Sequence, residues 1–177
     1  MFLKYLIVLA ILFIAASATD YCNPDLCRQG KAHIGCNNNG KLSSSCPANS
    51  QFFNMQVLKN QIVRAHNEKR NRVAGGFIPK HSPAFRMATI QWDDELAYLA
   101  GLNVKSCKYG HDQCRNTDTF EYSGQNLAKT WWKGMNQNIS MLIQDNIEGW
   151  FDEYKKSDMS KINKSLTKRN QLLDTSL

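Results

Sequence analysis

The sequence predicts an α+β domain preceded by a disulfide-rich extension. Three observations carry this reading. Apolar residues recur at helical spacing in three separate segments, β-type residues bracket Tyr122 to Trp132, and four of the six cysteines crowd between Cys22 and Cys46. The length, 177 residues, suits one domain with a short appendage. A hydrophobic content of 42% with 10% aromatics is enough to bury a core, which argues against a disordered chain.

The first element is a leader. Met1-Phe2-Leu3-Lys4 is followed by an uncharged run from Tyr5 to Ala16 and the small triplet Ala16-Ser17-Ala18. This is the layout of a secretory signal peptide, so residues 1–18 are expected to be removed before Thr19. The apolar run is shorter than the ~20 residues of a bilayer span, so no transmembrane anchor is expected.

Six cysteines follow, Cys22, Cys27, Cys36, Cys46, Cys107 and Cys114. An even number in an exported chain implies three disulfides, and spacing alone does not choose among the pairings. No pair has the two-residue gap of structural zinc sites. The extension, residues 19–52, is polar and aperiodic, so it is expected to depend on crosslinks, some of them reaching Cys107 and Cys114.

The domain proper is expected over residues 53–156. Phe53, Val57, Leu58, Ile62, Ala65 and Val73 mark a helix over Phe53–Ala74, stopped at Gly75-Gly76, where the backbone turns left-handed without a Cβ penalty. Pro79 and Pro83 mark a loop. Asp93-Asp94-Glu95 suit the positive end of a second helix through Leu96, Leu99, Ala100 and Val104. Tyr122–Trp132 reads as a short strand. Ile139, Leu142, Ile143, Ile147, Trp150, Phe151 and Tyr154 share one face of a third helix, which therefore needs a packing partner. From Lys155 onward Ser, Lys, Asn and Thr dominate, and residues 157–177 read as a divergent basic tail.

That tail locates the charge. There are 22 Lys and Arg against 15 Asp and Glu, a formal +7. Lys4 leaves with the leader, and the stretch Lys155–Leu177 holds six basic residues and two acids. The body is nearly neutral, so a nucleic-acid partner is not expected.

Four features could carry chemistry. His111-Asp112 lies between Cys107 and Cys114, so crosslinks at both ends would fix the imidazole as a base or ligand requires. The stretch resembles the His-Asp-x-Cys of secreted calcium-dependent phospholipases, but position 108 is Lys and no glycine-rich calcium loop precedes it. His66 and Glu68, two apart on a helix, do not face each other, so His66 is expected to be buried and hydrogen-bonded at the helix surface. Glu153 lies three beyond Trp150 at the edge of the apolar stripe, where a carboxylate lines a cleft or faces solvent. Asn138-Ile139-Ser140 and Asn163-Lys164-Ser165 are glycosylation sequons, with Asn138 and Asn163 as acceptors. No serine-nucleophile motif, phosphate loop or paired-carboxylate signature occurs.

Five segments in order and spacing resemble the CAP superfamily: Ala65-His66-Asn67-Glu68-Lys69-Arg70, Trp92-Asp93-Asp94-Glu95-Leu96-Ala97, Cys107–Cys114 with His111, Gly124-Gln125-Asn126-Leu127-Ala128, and Trp150-Phe151-Asp152-Glu153. Tyr21-Cys22-Asn23 and His33-Ile34-Gly35-Cys36 further resemble its arthropod antigen 5, or venom allergen-like, branch. The resemblance implies an α-β-α sandwich with a central antiparallel sheet. It also implies the pairs Cys22–Cys36, Cys27–Cys114 and Cys46–Cys107. The family's cleft of two His and two Glu maps onto His111, Gln125 and Glu153. Gln125 replaces a carboxylate by a weaker, neutral ligand, and the second histidine's His-Phe-Thr strand has no counterpart downstream. His33, His66 and His81 all lie upstream of that position. The site, with His111 and Glu153 as its remaining metal-type ligands, is therefore expected to be incomplete, and no zinc cofactor is expected. Because the resemblance fades near Lys155, the domain is expected to be C-terminally truncated and its sheet incomplete, leaving one face of the last helix without a partner.

The function expected from the resemblance is that of a secreted, non-enzymatic, monomeric binding protein of insect saliva, venom or haemolymph. Its ligand would be a lipid, a small amine or a host protein. The competing classes are a metal-assisted hydrolase using His111 and Glu153, and a structural or immune-decoy protein.

Overall fold

A computed structural model describes residues 19–134, 137–160 and 162–164. The leader expected over 1–18 and most of the expected tail, 165–177, lie outside the described residues. Three helices organise the rest: α1 (Lys59–Ala74), α2 (Asp94–Lys105) and α3 (Ile139–Phe151). Among the described residues no helix is long and apolar enough to cross a membrane.

Each helix begins or ends where its side chains dictate. The chain enters α1 through a 3₁₀ turn, Met55–Leu58, whose first residue follows Asn54; the Asn54 side chain accepts from Gln56 N at 3.0 Å. That turn consumes the residues from which a longer helix was expected, so α1 starts at Lys59 and not near Phe53. It ends in a Schellman motif: Phe77 N donates to Arg72 O at 3.0 Å and Gly76 N to Val73 O at 3.0 Å, with Gly76 at φ +75°. Asp93 caps α2, accepting from Leu96 N at 2.8 Å, and Asp94 and Glu95 fill its first turn. Asn138 caps α3 through Met141 N. Past Phe151 the winding tightens to a 3₁₀ turn, Asp152–Lys156, so Glu153 lies off the α-helix proper.

Helices α1 and α3 pack side by side. Gln61 donates to Ser140 O at 3.1 Å and accepts the Ser140 hydroxyl at 2.7 Å, Lys69 pairs with Glu148, and the Lys69 and Arg72 cations lie over the Phe151 ring. On another side of α1, Asn67 exchanges two hydrogen bonds with the Ile90 backbone and Arg70 clamps Ala88 O. The Asn67-to-Arg70 run thus secures the strap leading into α2.

Helix α2 packs against the extension. Tyr21 donates to Glu95 at 2.9 Å, Ser43 N to Lys105 O at 2.9 Å, and Lys105 to Gly40 O at 2.8 Å. Tyr21 also stacks on His33, centroids 4.8 Å apart. Gly35 sits under that phenol: a Cβ there would meet Tyr21 Cδ2 at 2.5 Å. His33 is buried, Nε2–H donating to Asn116 O and Nδ1 accepting from Gly35 N. Disulfides join Cys22–Cys36, Cys27–Cys114 and Cys46–Cys107, the pairing the resemblance implies. Two of them tie the extension to the body. They sit beside a small core: among the described residues only Cys27, Ala65, Ile78, Leu99, Leu102, Cys114 and Ile147 are buried hydrophobics.

The strand expected over Tyr122–Trp132 does not form; after a turn at Glu121 and Tyr122, residues 123–133 have no regular secondary structure. No partner strand is present among the described residues, and two carbonyls of the stretch accept from side chains instead. Arg115 donates to Ser123 O at 2.7 Å and the Trp150 indole to Leu127 O at 3.0 Å. The β-pairing present among the described residues is one parallel bridge, His33 with Cys114. The helices of the expected sandwich are in place, and its antiparallel sheet is not formed by the described residues.

Candidate functional site

Two arrangements between the helices have the character of a site. The first is polar. Asp112 lies under α2, where Asn103 donates to it at 3.1 Å and Arg115 makes a two-point clamp on its side chain and backbone oxygen. Its other neighbour is Gln125, whose amide nitrogen donates to Asp112 Oδ2 at 2.6 Å. With its nitrogen so placed, Gln125 presents its oxygen to His111 Nδ1 at 2.8 Å. An amide oxygen only accepts, so Nδ1 carries a hydrogen, and in the neutral imidazole Nε2 is the nitrogen with the lone pair. The imidazole itself is exposed.

The structure therefore brings His111 and Gln125 together, with Asp112 as the anchor behind both. Sequence reasoning named Asp112 only as the neighbour of His111; that it orients Gln125 is a tertiary fact. Glu153 is exposed on the 3₁₀ turn after α3. Gln125 engages its oxygen with His111 and its nitrogen with Asp112, so at most one lone pair of a neutral amide oxygen is left over as a weak ligand. Among the described residues no group of three or more His, Cys, Asp or Glu side chains gathers to hold an ion. This donor set does not fit the zinc cleft of the family.

The second arrangement is an open groove of about 700 Å³. One wall is the segment Gln51–Gln56 with Phe52, Phe53 and Met55; α2 contributes Ala97, Tyr98, Ala100, Gly101 and Val104; Ile62 of α1 and Ile143, Ile147 and Trp150 of α3 lie across from them. The lining is predominantly apolar, and its size is that of a small-molecule site. Three polar features punctuate it. Lys105 sits over the Phe52 ring at 4.4 Å. Asp94 accepts from Gln56 and from the Trp92 indole, which together hold its carboxyl below the usual range. His66 donates from Nδ1 to Ile62 O at 2.8 Å, the hydrogen bond expected of it, but it is half-buried and not buried; in the neutral ring Nε2 is the acceptor nitrogen. Glu68, on the same helix, is exposed and does not line the groove.

Neither His111 nor Glu153 lines this groove. Its residues were hidden because they come from four segments and read individually as core or cap positions. The adjacent aromatics Phe52-Phe53, just before α1, were the one local signal of an exposed apolar wall.

Of the glycosylation sequons, Asn138 is exposed as the α3 cap, and its cap uses only Oδ1; Asn163 is exposed near the end of the described chain.

Comparison with known proteins places these features. The Cysteine-rich secretory protein family, CAP, matches residues 63–177. The antigen 5 like allergen Cul n 1 of Culicoides nubeculosus is 44% identical over 168 residues, 88% of this chain and 76% of that protein. Venom allergen-1 of Aedes albopictus is 40% identical over 153 residues, 85% of this chain and 58% of that protein. Tabinhibitin 10 of Tabanus yao is 37% identical over 123 residues, 67% of this chain and 47% of that protein. The chain thus spans about three-quarters of the first relative and less than two thirds of the other two. With five sequence segments in register, three crosslinks and these relatives agreeing, the chain belongs to the CAP family and is related to the insect antigen 5-like venom allergens.

Proposed function

We propose that the protein is secreted and acts by binding, without turnover, and that its ligand is an apolar small molecule of lipid type held between α1, α2 and α3. The observation that supports this reading is the groove: about 700 Å³, walled by Phe52, Phe53, Trp92, Tyr98 and Trp150, and open to solvent. An unbranched or polyunsaturated chain would gain by leaving water along these rings, at ~25 cal/mol per Å² of apolar surface removed. Three disulfides fit a protein that works outside the cytosol.

The test is titration with cis-parinaric acid, whose fluorescence rises in an apolar site. Saturable one-to-one binding is expected, weakened at least about tenfold by Ala100→Trp, which fills the groove from an exposed helix position. Absence of saturable binding, or binding indifferent to Ala100→Trp, refutes the reading.

A further inference from the structure

Four tryptophans divide into two kinds. Trp92 and Trp150 bond their indole N–H groups to Asp94 and Leu127 O. Trp131 and Trp132 stand side by side in the loop before α3, 80% and 56% exposed, and their indole nitrogens donate to no described residue. Adjacent exposed indoles are unusual, because tryptophan is ordinarily withdrawn from water over most of its surface.

The chemistry around them narrows what they meet. Lys129 lies 4.2 Å over the Trp131 ring and Lys133 follows Trp132, so two ammonium groups flank the two indoles. No acidic residue occurs between Glu121 and Asp145. Just below the tip the chain is tied down by the Trp150–Leu127 hydrogen bond, and Gly134, at φ +100°, turns it immediately after Lys133. A basic, doubly aromatic tip thus sits on an anchored base. An indole has an apolar body with a polar N–H at one edge, which suits the boundary between acyl chains and headgroups, and lysines beside it suit anionic headgroups.

We propose that Lys129–Lys133 is a peripheral membrane-docking loop, Trp131 and Trp132 entering the interface of an anionic bilayer and Lys129 and Lys133 meeting its phosphates. The attachment is superficial and reversible, since two rings and two cations are far from a membrane span. It uses a surface separate from the groove, so it stands or falls independently of the ligand proposed above.

Co-sedimentation of the disulfide-bonded protein with phosphatidylcholine vesicles, with and without phosphatidylserine, tests the loop. Binding is expected with phosphatidylserine and to fall about fivefold for each lysine replaced in K129Q and K133Q. In W131S/W132S it should fall at least about tenfold. Brominated lipid should quench wild-type tryptophan fluorescence and lose most of that effect in W131S/W132S. Ala100→Trp should leave vesicle binding unchanged while weakening parinarate binding. The proposal is overturned if anionic vesicles do not retain the wild-type protein or if W131S/W132S binds them as well as wild type. It is equally overturned if the loop's substitutions abolish self-association in solution without affecting vesicle binding, which would make the patch a protein contact.

Discussion

Gln125 accepts a hydrogen bond from His111 Nδ1–H at 2.8 Å while donating to Asp112 at 2.6 Å, so one amide bridges an imidazole on one side and a carboxylate on the other. Only an amide does both. A glutamate at 125, the residue type the family pattern has there, would set two carboxylates against each other beside Asp112. The expected result of Gln125→Glu is a loss of roughly 1 to 3 kcal/mol of stability at neutral pH. Repulsion raises the folded-state affinity of the pair for a proton, so the penalty is full above that raised value and vanishes once pH falls below the ordinary glutamate value of about 4. Urea unfolding at pH 7 and pH 4 reads both; an equal loss at the two pH values would contradict the contact.

Among the described residues no further ligands gather around His111, so zinc affinity is expected to be weaker than micromolar and little changed by His111→Ala. Isothermal titration of the purified protein measures it. A submicromolar site abolished by His111→Ala would mean that further ligands complete the cleft.

The crosslinks should rank by the loops they close. Cys27–Cys114 spans 87 residues and both partners are buried, so replacing that pair by serine is expected to remove roughly 4 to 5 kcal/mol. Cys22–Cys36 closes 14 residues and should be worth about 3 kcal/mol. Denaturant midpoints of the two double variants decide this; a reversed order would mean that the extension folds without its tie to the body.

Tyr21 is held neutral by burial first and then by its bond to Glu95, which push its phenol well above the ordinary value. A group whose neutral form is favoured in the folded state adds no pH dependence while both states are protonated. Stability is then lost as pH rises past about 10, where the unfolded chain ionises and the folded one does not. Tyrosinate absorbance should show one late-titrating tyrosine in the wild type that is missing in Tyr21→Phe. That variant should also lose about 1 kcal/mol at neutral pH. Unchanged late titration in Tyr21→Phe would assign the effect elsewhere.

Much of the helical framework was legible because its signals are local. The acidic start of α2 at Asp93-Asp94-Glu95, the stop at Gly75-Gly76 and the apolar stripe of α3 each involve residues within a turn or two, and residue identity and periodicity report them without knowing the partner. The motif residues Asn67, Arg70 and Gly35 were visible too, but their purpose was not. Asn67 and Arg70 hold the strap at Ala88 and Ile90, and Gly35 admits the Tyr21 ring, contacts whose partners lie 14 to 23 residues away. The strand read at Tyr122–Trp132 failed for the complementary reason. Strand propensity describes a segment that fits a ladder, and here no partner strand lies among the described residues while Arg115 and Trp150 bond two of the carbonyls.

By itself, then, the sequence determined where α1 stops and α2 begins, which cysteines are available and which family the segments resemble, since all of these depend on residue identity and short spacing. Tertiary structure alone decided that Asp112 and Gln125 set the tautomer of His111, that Glu153 lies on a 3₁₀ turn and that four segments enclose an apolar groove. Hydrogen-bond direction and cavity shape depend on which distant atoms meet, and no period along the chain encodes that meeting.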